Sequence, residues 1–357
     1  DCGTSTRPCR SITHAHSKSE GSDTILVGPG RYGDVNGDGD FSDPGDEQGD
    51  GCVVCITRSG VRVLSQQGAV FTLIDATGTS FNDAVMINAR DVQFGAAGHG
   101  FRVLALGGPL YGISVSDHSD NIKVAGNVVT GGRQGAFLFP TLGRSAVISD
   151  NIAIDTIDGP GFSGVENVID PGTGERTRVV RNIAIRNLVG FLIGGPDLLF
   201  TDNIADNNVQ GALLGGNGMV VRNNSVSNSG REGIFLSGAV RTLKGNSVIG
   251  NRGPGITVAI GSSVEQFSRN NLYGNGTSET TFAGEPKPNC GLVNASGTTL
   301  SAPNNFWGQP SGPGPDPADE VCNIPNGSTT VVEPVAVRPV GNPHRRTHLI
   351  STRTVAK

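Results

Sequence analysis

The chain has 357 residues, of which 54 are glycine and 17% are charged, and its formal net charge is -5. This length fits two or three ordinary domains or one elongated repeat domain. The negative balance gives no reason to expect nucleic acid as a partner, and no apolar run is long enough to span a membrane. Abundant glycine and asparagine disfavour long helices, whereas short valine, isoleucine and leucine runs throughout the chain argue against disorder.

Two ladders of recurring residues run through the chain at nearly constant phase. The first is a glycine followed by an apolar strand, and it comprises Gly112, Gly135, Gly161, Gly190, Gly211, Gly233, Gly255 and Gly291. The second is an asparagine ladder, which comprises Asn127, Asn151, Asn182, Asn203, Asn224, Asn246, Asn270 and Asn304. Successive members of the regular part are about 22 residues apart, which fits one coil of three short strands with their turns.

These ladders predict an all-β fold, a single-stranded right-handed parallel β-helix (solenoid) of about 22 residues per coil. A buried asparagine at each turn can bond backbone groups and the asparagine one coil away. Phenylalanines at strand positions are expected to stack inside the coils, and they are Phe137, Phe139, Phe162, Phe191 and Phe235. The alternative is a β-sandwich, but its turns recur every ~8–12 residues without a two-ladder phase.

The repeats resemble the parallel β-helix proteins of the pectate-lyase-like superfamily. Residues 8–12, 23–27 and 30–33 are similar to the capping helix and first strand that open such proteins, and residues 304–308 with 311–315 are similar to the segment that closes them. The resemblance covers roughly residues 8–332. It implies the fold, but the superfamily includes lyases, hydrolases, epimerases, adhesins and inert scaffolds, so it leaves the chemistry open.

Four segments follow from this pattern. We expect an N-terminal cap and first strand in 1–33, an acidic insertion in 34–56, the β-helix in 57–332 and a basic tail in 333–357. Long steps in the ladders predict loop insertions near 155–178 and 274–300, which either form a binding face for a glycan or are solvated loops.

Six cysteines lie towards the two ends of the chain: Cys2, Cys9, Cys52, Cys55, Cys290 and Cys322. An even number predicts disulfides, and we interpret the abrupt start at Asp1 as the mature N-terminus of a secreted or cell-surface protein. If residues 52–55 are extended, the Cα atoms of Cys52 and Cys55 would be about 10 Å apart. We therefore predict that Cys2 and Cys9 pair with Cys52 and Cys55, and Cys290 with Cys322. Half of a zinc site at Cys52 and Cys55 is the alternative.

Residues 34–47 resemble the calcium loops of EF-hand and dockerin modules. Oxygen ligands alternate at Asp34, Asn36 and Asp38, and Gly39 stands where such a loop turns around the ion. Position 12 is Gly45 instead of glutamate, so another carboxylate has to complete the set. The candidate ligands of a structural Ca²⁺ are Asp34, Asn36, Asp38, Asp40, Asp43, Asp46 and Glu47, and the alternative is a hydrated acidic loop.

Catalytic signals are weak. A polysaccharide lyase needs a base and a cation that neutralises a uronate carboxylate. Arg222 and Lys244 each stand two residues before a ladder asparagine, so we expect them side by side on adjacent coils, either as a lyase-like pair or as a solvated basic stripe. No histidine occurs between His118 and His344, and His99 and His118 are isolated.

The expected function is therefore a non-catalytic secreted or cell-surface scaffold or adhesive protein, stabilised by calcium. The tail 334–357 is either flexible or a strand that packs on a neighbouring molecule, and its basic charge opposite the acidic residues 34–50 favours head-to-tail self-association. One alternative is a polysaccharide lyase or epimerase that acts on an acidic glycan. The other is glycan binding without turnover.

Overall fold

The computed structural model describes residues 2–4, 6–47, 49–117, 119–139, 146–165, 176–277, 281–282, 285–286, 289–324 and 327–341. It is an all-β, right-handed parallel β-solenoid with almost no helix, which confirms the predicted fold class. The chain divides into two compact units, Asp1–Met219 and Val220–Lys357, which we call the N-unit and the C-unit. None of the described helices is long and apolar enough to cross a membrane.

The N-unit consists of three parallel sheets of seven strands, and each coil gives one strand to each sheet. Strands are numbered in chain order. Its first sheet contains β1 Thr24–Val27, β4 Arg62–Ser65, β7 Gln93–Phe94, β10 Lys123–Ala125, β13 Val147–Ser149, β16 Arg178–Val180 and β19 Leu199–Thr201. Its second contains β2 Gly30–Gly33, β5 Thr72–Asp75, β8 Arg102–Ala105, β11 Val128–Gly131, β14 Ile152–Ile154, β17 Ile183–Ile185 and β20 Ile204–Asp206. Its third contains β3 Cys52–Ile56, β6 Asp83–Ile87, β9 Tyr111–Val115, β12 Gly135–Phe139, β15 Pro160–Val165, β18 Val189–Gly194 and β21 Gln210–Gly215.

The C-unit repeats the same three-sheet coil. Its first sheet contains β22 Val220–Arg222, β25 Ala239–Lys244 and β28 Ser263–Ser268, and its second contains β23 Ser225–Ser227, β26 Ser247–Ile249 and β29 Asn271–Tyr273. Its third contains β24 Ile234–Ser237, β27 Ile256–Val258, β32 Cys290–Asn294 and β34 Glu320–Asn323. A hairpin of β30 Thr281–Phe282 and β31 Glu285–Pro286 and a parallel pair of β33 Thr299–Ser301 and β35 Thr329–Val331 complete it.

The predicted capping helix is α1, Ile12–Lys18, which packs against β1 and β3. Ser11 is its N-cap, because the Ser11 hydroxyl accepts a hydrogen bond from the His14 N–H at 3.1 Å. His16 is buried and its Nε2 accepts from the Thr57 N–H at 3.0 Å, while burial, followed by the charge of Arg58, lowers the pKa of His16. The helix therefore covers the first coil with the buried side chains of Ile12 and His16.

The first asparagine ladder lies at the turn between the first and second sheets of each unit. In the N-unit the N–H of Asn182 donates to Oδ1 of Asn203, one coil ahead, at 2.9 Å, and Nδ2 of Asn182 donates to the same oxygen at 3.2 Å. Asn127 and Asn151 repeat this pattern. In the C-unit it continues through Asn224, Asn246 and Asn270. The ladder satisfies turn N–H groups that the sheets cannot reach.

The last member of this ladder is Asn305, and the prediction of Asn304 is wrong. Oδ1 of Asn305 accepts from the N–H of Asn270 at 2.8 Å, whereas Asn304 is left-handed with φ 59°. Each of these turns has a left-handed residue followed by the buried asparagine, as in Arg181 before Asn182 and Asp202 before Asn203. Asparagine is tolerated both at the left-handed position and at the buried position that follows it. Where two asparagines are adjacent, the sequence alone therefore does not show which of them is the buried ladder residue.

A second ladder, which the sequence analysis missed, lies at the turn between the second and third sheets. In the N-unit it runs from Thr156 to Asn187 and Asn208, with an Asn187 N–H to Asn208 Oδ1 distance of 2.9 Å. In the C-unit it comprises Ser229, Asn251, Asn275 and Asp319. The signal was present as a second asparagine five residues after the first, at 182/187, 203/208, 246/251 and 270/275.

The glycine ladder exists because the second asparagine ladder needs its space. A Cβ at Gly255 would lie 2.6 Å from the Gly291 carbonyl oxygen and 2.8 Å from Nδ2 of Asn275. A Cβ at Gly190 would lie 2.5 Å from the Gly211 carbonyl oxygen and 3.0 Å from Nδ2 of Asn208. The glycine ladder and the second asparagine ladder therefore lie at the same turn and pack against each other.

Aromatic stacking inside the N-unit confirms part of the prediction. The rings of Phe137 and Phe162 stack at 4.6 Å and those of Phe162 and Phe191 at 4.9 Å, and Phe139 is buried beside Phe137. Phe235 is only half-buried, so the expectation of an internal position is wrong. Its strand neighbours Ile234 and Leu236 are both buried, and strand alternation therefore turns Phe235 outward.

Three disulfides are present, and they join Cys2 to Cys9, Cys52 to Cys55 and Cys290 to Cys322. The last pair confirms the prediction, whereas the predicted pairing of Cys2 and Cys9 with Cys52 and Cys55 is wrong. The Cα atoms of Cys52 and Cys55 are 5.7 Å apart, so the chain is not fully extended between them. With these cysteines bonded to each other, neither is available as a zinc ligand.

Removing one ladder asparagine should destabilise the solenoid. Asn182→Ala leaves the N–H and Nδ2 of Asn151 without their shared acceptor and removes the bond to the Ile148 carbonyl. We expect the free energy of unfolding to fall by about 3 kcal/mol in a denaturant titration. Asn82→Ala, at an exposed turn of the same unit, should change it by less than ~0.5 kcal/mol. Equal losses in the two variants would contradict a special role of the ladder.

Asp319 ends the second ladder of the C-unit and creates a pH dependence. Its buried carboxylate accepts from the N–H and from Nδ2 of Asn275, the latter at 2.8 Å. Burial raises the pKa of Asp319 to about 6, although hydrogen bonds from Asn275 oppose the shift. Because an unfolded aspartate has a pKa of about 3.9, the folded chain binds more protons between these values. Stability should therefore fall as the pH rises from about 4 to about 6.

Asp319→Asn should flatten this pH dependence. The amide keeps an acceptor for Asn275 and cannot ionise, so the variant should melt higher than the parent at pH 7 and closer to it at pH 4. Thermal unfolding at a series of pH values checks this. The control is Glu320→Gln, an exposed neighbour, whose melting curve should follow the parent. A parent chain whose Tm does not fall between pH 4 and pH 6 would count against the raised pKa.

Candidate functional site

The acidic loop 34–47 connects β2 to β3 within the first coil. The acids near its two ends accept hydrogen bonds from backbone N–H groups of the loop. Asp34 is 1% exposed, and its carboxylate accepts from the N–H groups of Gly37 and Gly39. Asp46 is buried and accepts from the N–H of Val35 at 2.9 Å and from that of Asp43 at 2.9 Å. These two carboxylates fold the loop back on itself.

Glu47 is attached to the capping helix. One of its carboxylate oxygens accepts from the Thr13 N–H at 2.8 Å and the other from the Ile12 N–H. Burial raises the pKa of Glu47, although the hydrogen bonds from Thr13 and Ile12 oppose the shift. A carboxylate is favourable at a helix N-terminus, so Glu47 joins the acidic loop to α1.

The remaining candidates are at the outer side of the loop. Nδ2 of Asn36 donates to Oδ2 of Asp38 at 3.0 Å and to Oδ2 of Asp43 at 2.6 Å, so two carboxylates from the middle of the loop converge on one amide. Asn36, Asp38 and Asp40 are exposed and Asp43 is half-buried. Within residues 34–47, all of which the structure describes, no three carboxylates offer ligand atoms within 4.8 Å of one another.

The donor set of this outer side suits a hard cation. Carboxylate and amide oxygens are the ligands that Ca²⁺ takes, and its coordination geometry is flexible. The point where Asp38 and Asp43 converge holds a positively polarised N–H group, and rotation of the Asn36 amide would present its oxygen there instead. The residues that could hold Ca²⁺ are therefore Asn36, Asp38, Asp40 and Asp43, while Asp34, Asp46 and Glu47 shape the loop.

The predicted pair of cations is adjacent on the first sheet of the C-unit. Arg222 of β22 is in register with Lys244 of β25, which is in register with Ser268 of β28. The neighbouring column consists of Val220, Thr242 and Gln266. None of these in-register neighbours can act as a general base at neutral pH. The pair supplies charge to an anionic ligand, and the one acid of these three described strands, Glu265 of β28, is exposed and is not in register with either cation.

A further set of cations, which the sequence analysis missed, lies on the first sheet of the N-unit. Arg62, Lys123 and Arg178 are exposed and occupy one column that also contains Gln93 and Val147. The signal in the sequence was a cation directly before a buried valine at Val63, Val124 and Val179. The cations are not evenly spaced in the sequence, because loops of unequal length separate the strands that carry them.

Comparison with known proteins identifies the family. Residues 1–199 match the model of a protein of unknown function, DUF1565. The chain belongs to the DUF1565 family. Residues 171–312 also match the model of the periplasmic copper-binding protein NosD, a likeness that spans less than half of the chain. No curated protein matches the chain.

Several solved structures are similar to this DUF1565 protein at low identity. The A-module of the Azotobacter vinelandii mannuronan C-5 epimerase AlgE4 is 15% identical, with coverage of 93% of this chain and 91% of that one and a TM-score of 0.43. A double mutant of the periplasmic alginate epimerase AlgG is 13% identical, with coverage of 88% and 85% and a TM-score of 0.42. The PL6 alginate lyase AlyGC is 10% identical, with coverage of 92% and 52% and a TM-score of 0.44. At these values no activity is transferred to this chain.

The predicted insertions of this DUF1565 protein are described only in part. Asp158 and Arg176 border the first one, whereas Glu166, Asp170 and Glu175 lie outside the described residues. Glu279 and Lys287 of the second insertion also lie outside them, and Glu285 is a residue of the β30–β31 hairpin. His118 and the tail residues 342–357 are likewise outside, whereas His99 is structural, because its Nδ1 is 3.0 Å from the Ser65 carbonyl oxygen.

Proposed function

We propose that this DUF1565 protein is a non-catalytic β-helix scaffold that works outside the cytoplasm and whose acidic loop binds calcium. The non-catalytic part of this proposal is supported by the residues that surround Arg222 and Lys244. Their in-register neighbours Ser268, Thr242 and Gln266 offer neither a base nor an acid, and the exposed Glu265 of the same sheet is not in register with either cation. Lyases and epimerases both have to remove a proton from the sugar, so a cation pair alone supports binding and not turnover.

The disulfides support a location outside the cytoplasm. All six cysteines are bonded, in three pairs that are each local to one cap or end of the chain. Such bonds persist in the periplasm or outside the cell and are rare in the reducing cytosol. Both NosD and AlgG are described as periplasmic, which is consistent with this location.

Calcium would act as a structural ligand of the loop. Asp38 and Asp43 accept hydrogen bonds from the same amide, that of Asn36, in a loop that carries six acids from Asp34 to Glu47. A cation there would relieve the repulsion between these acids. Because Glu47 caps α1 through Ile12 and Thr13, ordering of the loop would also strengthen the N-terminal cap.

Calcium binding is tested by thermal unfolding and calorimetry of the full chain. At a Ca²⁺ concentration of 100 times Kd, we expect stabilisation by about 2.7 kcal/mol, and Mg²⁺ should be a weak substitute because it demands a stricter octahedral site. The double variant Asp38→Asn, Asp43→Asn should lose the effect. A control with two exposed acids removed elsewhere, Glu20→Gln with Asp158→Asn, should keep it. Equal calcium responses of the two double variants would refute the site.

A polysaccharide lyase or epimerase is the second candidate, favoured by the in-register placement of Arg222 and Lys244. It is tested by incubation with pectate, alginate and glycosaminoglycans, with absorbance of the unsaturated product for a lyase and NMR of the uronate composition for an epimerase. We expect no turnover of any polymer. Turnover that Arg222→Gln with Lys244→Gln abolishes, while Arg252→Gln leaves it intact, would overturn the non-catalytic proposal.

Self-association through the basic tail remains a proposal. The acidic loop is at the start of the N-unit, and the basic residues Arg345, Arg346, Arg353 and Lys357 are at the end of the chain. Opposite charges at the two ends of the sequence favour head-to-tail contacts between copies, which can propagate. The scaffold function does not require such contacts.

A further inference from the structure

The first sheet of the N-unit has an outer face of a single charge sign. Arg62, Lys123 and Arg178 are exposed on it, and the seven strands of this sheet contain no acidic residue. The chain as a whole carries a net charge of -5, so a purely cationic face is opposite to its average. The second sheet, by contrast, mixes Arg31 and Arg102 with Asp75 and Asp206.

The three cations form one line across the strands. Arg62 is in register with Gln93, and Gln93 with Lys123; Lys123 is in register with Val147, and Val147 with Arg178. Every second rung therefore presents a cation. With strands ~4.8 Å apart, the cations recur every ~10 Å over a line of ~19 Å.

These cations are held in place but not neutralised. The buried residues Val63, Val124 and Val179 next to them fix the outward direction of each side chain, and Nε of Arg62 donates to Oε1 of Gln93 at 3.1 Å. Among the described residues, no acid forms an ion pair with any of the three cations.

The acids in the turns that precede β7 and β10 interact with residues other than the three cations. Oδ1 of Asp91 accepts from Nδ2 of Asn121 at 2.8 Å, and Asp120 pairs with Arg90 at 3.6 Å. At the opposite turn Asp150 is paired with Arg181 at 2.7 Å. Asp91 keeps its negative charge, because Asn121 is neutral. None of these carboxylates is paired with a cation of the column, so the three cations remain available to an anionic ligand.

We propose that this column, Arg62, Lys123 and Arg178, binds an acidic polysaccharide that lies along the column and across the strands. An extended polysaccharide presents its acidic groups at a regular interval on one side, which matches a regular line of cations on a flat sheet. The second outward column carries Leu26, Leu64 and Ala125, side chains on which the apolar faces of sugar rings can lie. Neither outward column has an aromatic side chain for stacking of bases, which disfavours a single-stranded nucleic acid.

Binding is measured by calorimetry on the full chain with an oligomannuronate of ten sugars, and with a neutral mannan oligomer and an oligo-dT as comparisons. We expect binding of the oligomannuronate only, with an affinity that falls as salt rises, because exposed charges are screened. The triple variant Arg62→Gln, Lys123→Gln, Arg178→Gln should weaken binding by about tenfold.

The matched control removes three exposed cations from other places in the same unit, Arg10→Gln, Arg102→Gln and Arg133→Gln. It lowers the net charge equally and should weaken binding by less than about twofold. Oligomannuronates too short to span the line of ~19 Å should bind more weakly than those that span it.

Equal weakening by the two triple variants, insensitivity of the parent affinity to salt, or tighter binding of oligo-dT would each overturn the proposal. The salt series uses the parent chain alone, so it decides even if a variant fails to fold. The inference requires neither calcium nor the absence of turnover, so its failure would leave the proposed scaffold function untouched.

Discussion

The hydrogen bond from one turn asparagine to the next is the interaction on which the rest of this structure depends. A parallel β-solenoid can satisfy the backbone of its strands by lateral pairing, but a turn that bends the chain by a third of a coil has N–H groups without a strand partner. In each ladder one carboxamide oxygen receives both the N–H and the Nδ2 of the preceding asparagine, as between Asn187 and Asn208. The Nδ2 of Asn187 also reaches back to the Ala153 carbonyl. Each asparagine thus joins three coils and fixes their register.

Register then determines which side chains reach solvent. Since side chains alternate along a strand, a shift of one residue would exchange the inner and outer sets. The turns prevent such a shift by a left-handed residue followed by a buried asparagine, and this holds even for Arg181 and Arg186, whose positive φ is unfavourable for a side chain. Bidentate pairs of Arg181 with Asp150 and of Arg186 with Asp155 offset part of that cost.

The sequence could predict the fold because the ladder residues recur at a period that short-range chemistry alone does not produce. It could not distinguish Asn304 from Asn305, since a left-handed position and a buried turn position both accept asparagine. The prediction also placed Cys52 and Cys55 too far apart, because it assumed an extended strand at 52–55, whereas the Cα atoms of the two cysteines are 5.7 Å apart. Phe235 shows the same limit: its apolarity suggests burial, whereas the alternation set by Ile234 and Leu236 decides its direction.

The candidate sites were harder to predict than the fold for a related reason. In the first sheet of the N-unit, in-register neighbours are 21 to 38 positions apart, as for Arg178 with Leu199 and Thr24 with Arg62. Loops of unequal length therefore hide the alignment of a column in the sequence. Arg222 and Lys244 were found because they lie in regular coils at a fixed distance from the ladder. Arg62, Lys123 and Arg178 lie where insertions vary.

Once inner positions are occupied by asparagine ladders and stacked phenylalanines, only the outward columns can vary without a loss of stability. A column has a spacing set by strand pairing and a length set by the number of coils. It can therefore match a polymer with a regular repeat better than a small molecule, which needs a concave pocket. The affinity of a row of cations for an anionic chain increases with each further repeat of the chain that makes a contact. The second and third contacts form within a molecule that is already bound. In such an arrangement the number of coils, and not the strength of any one contact, sets the affinity.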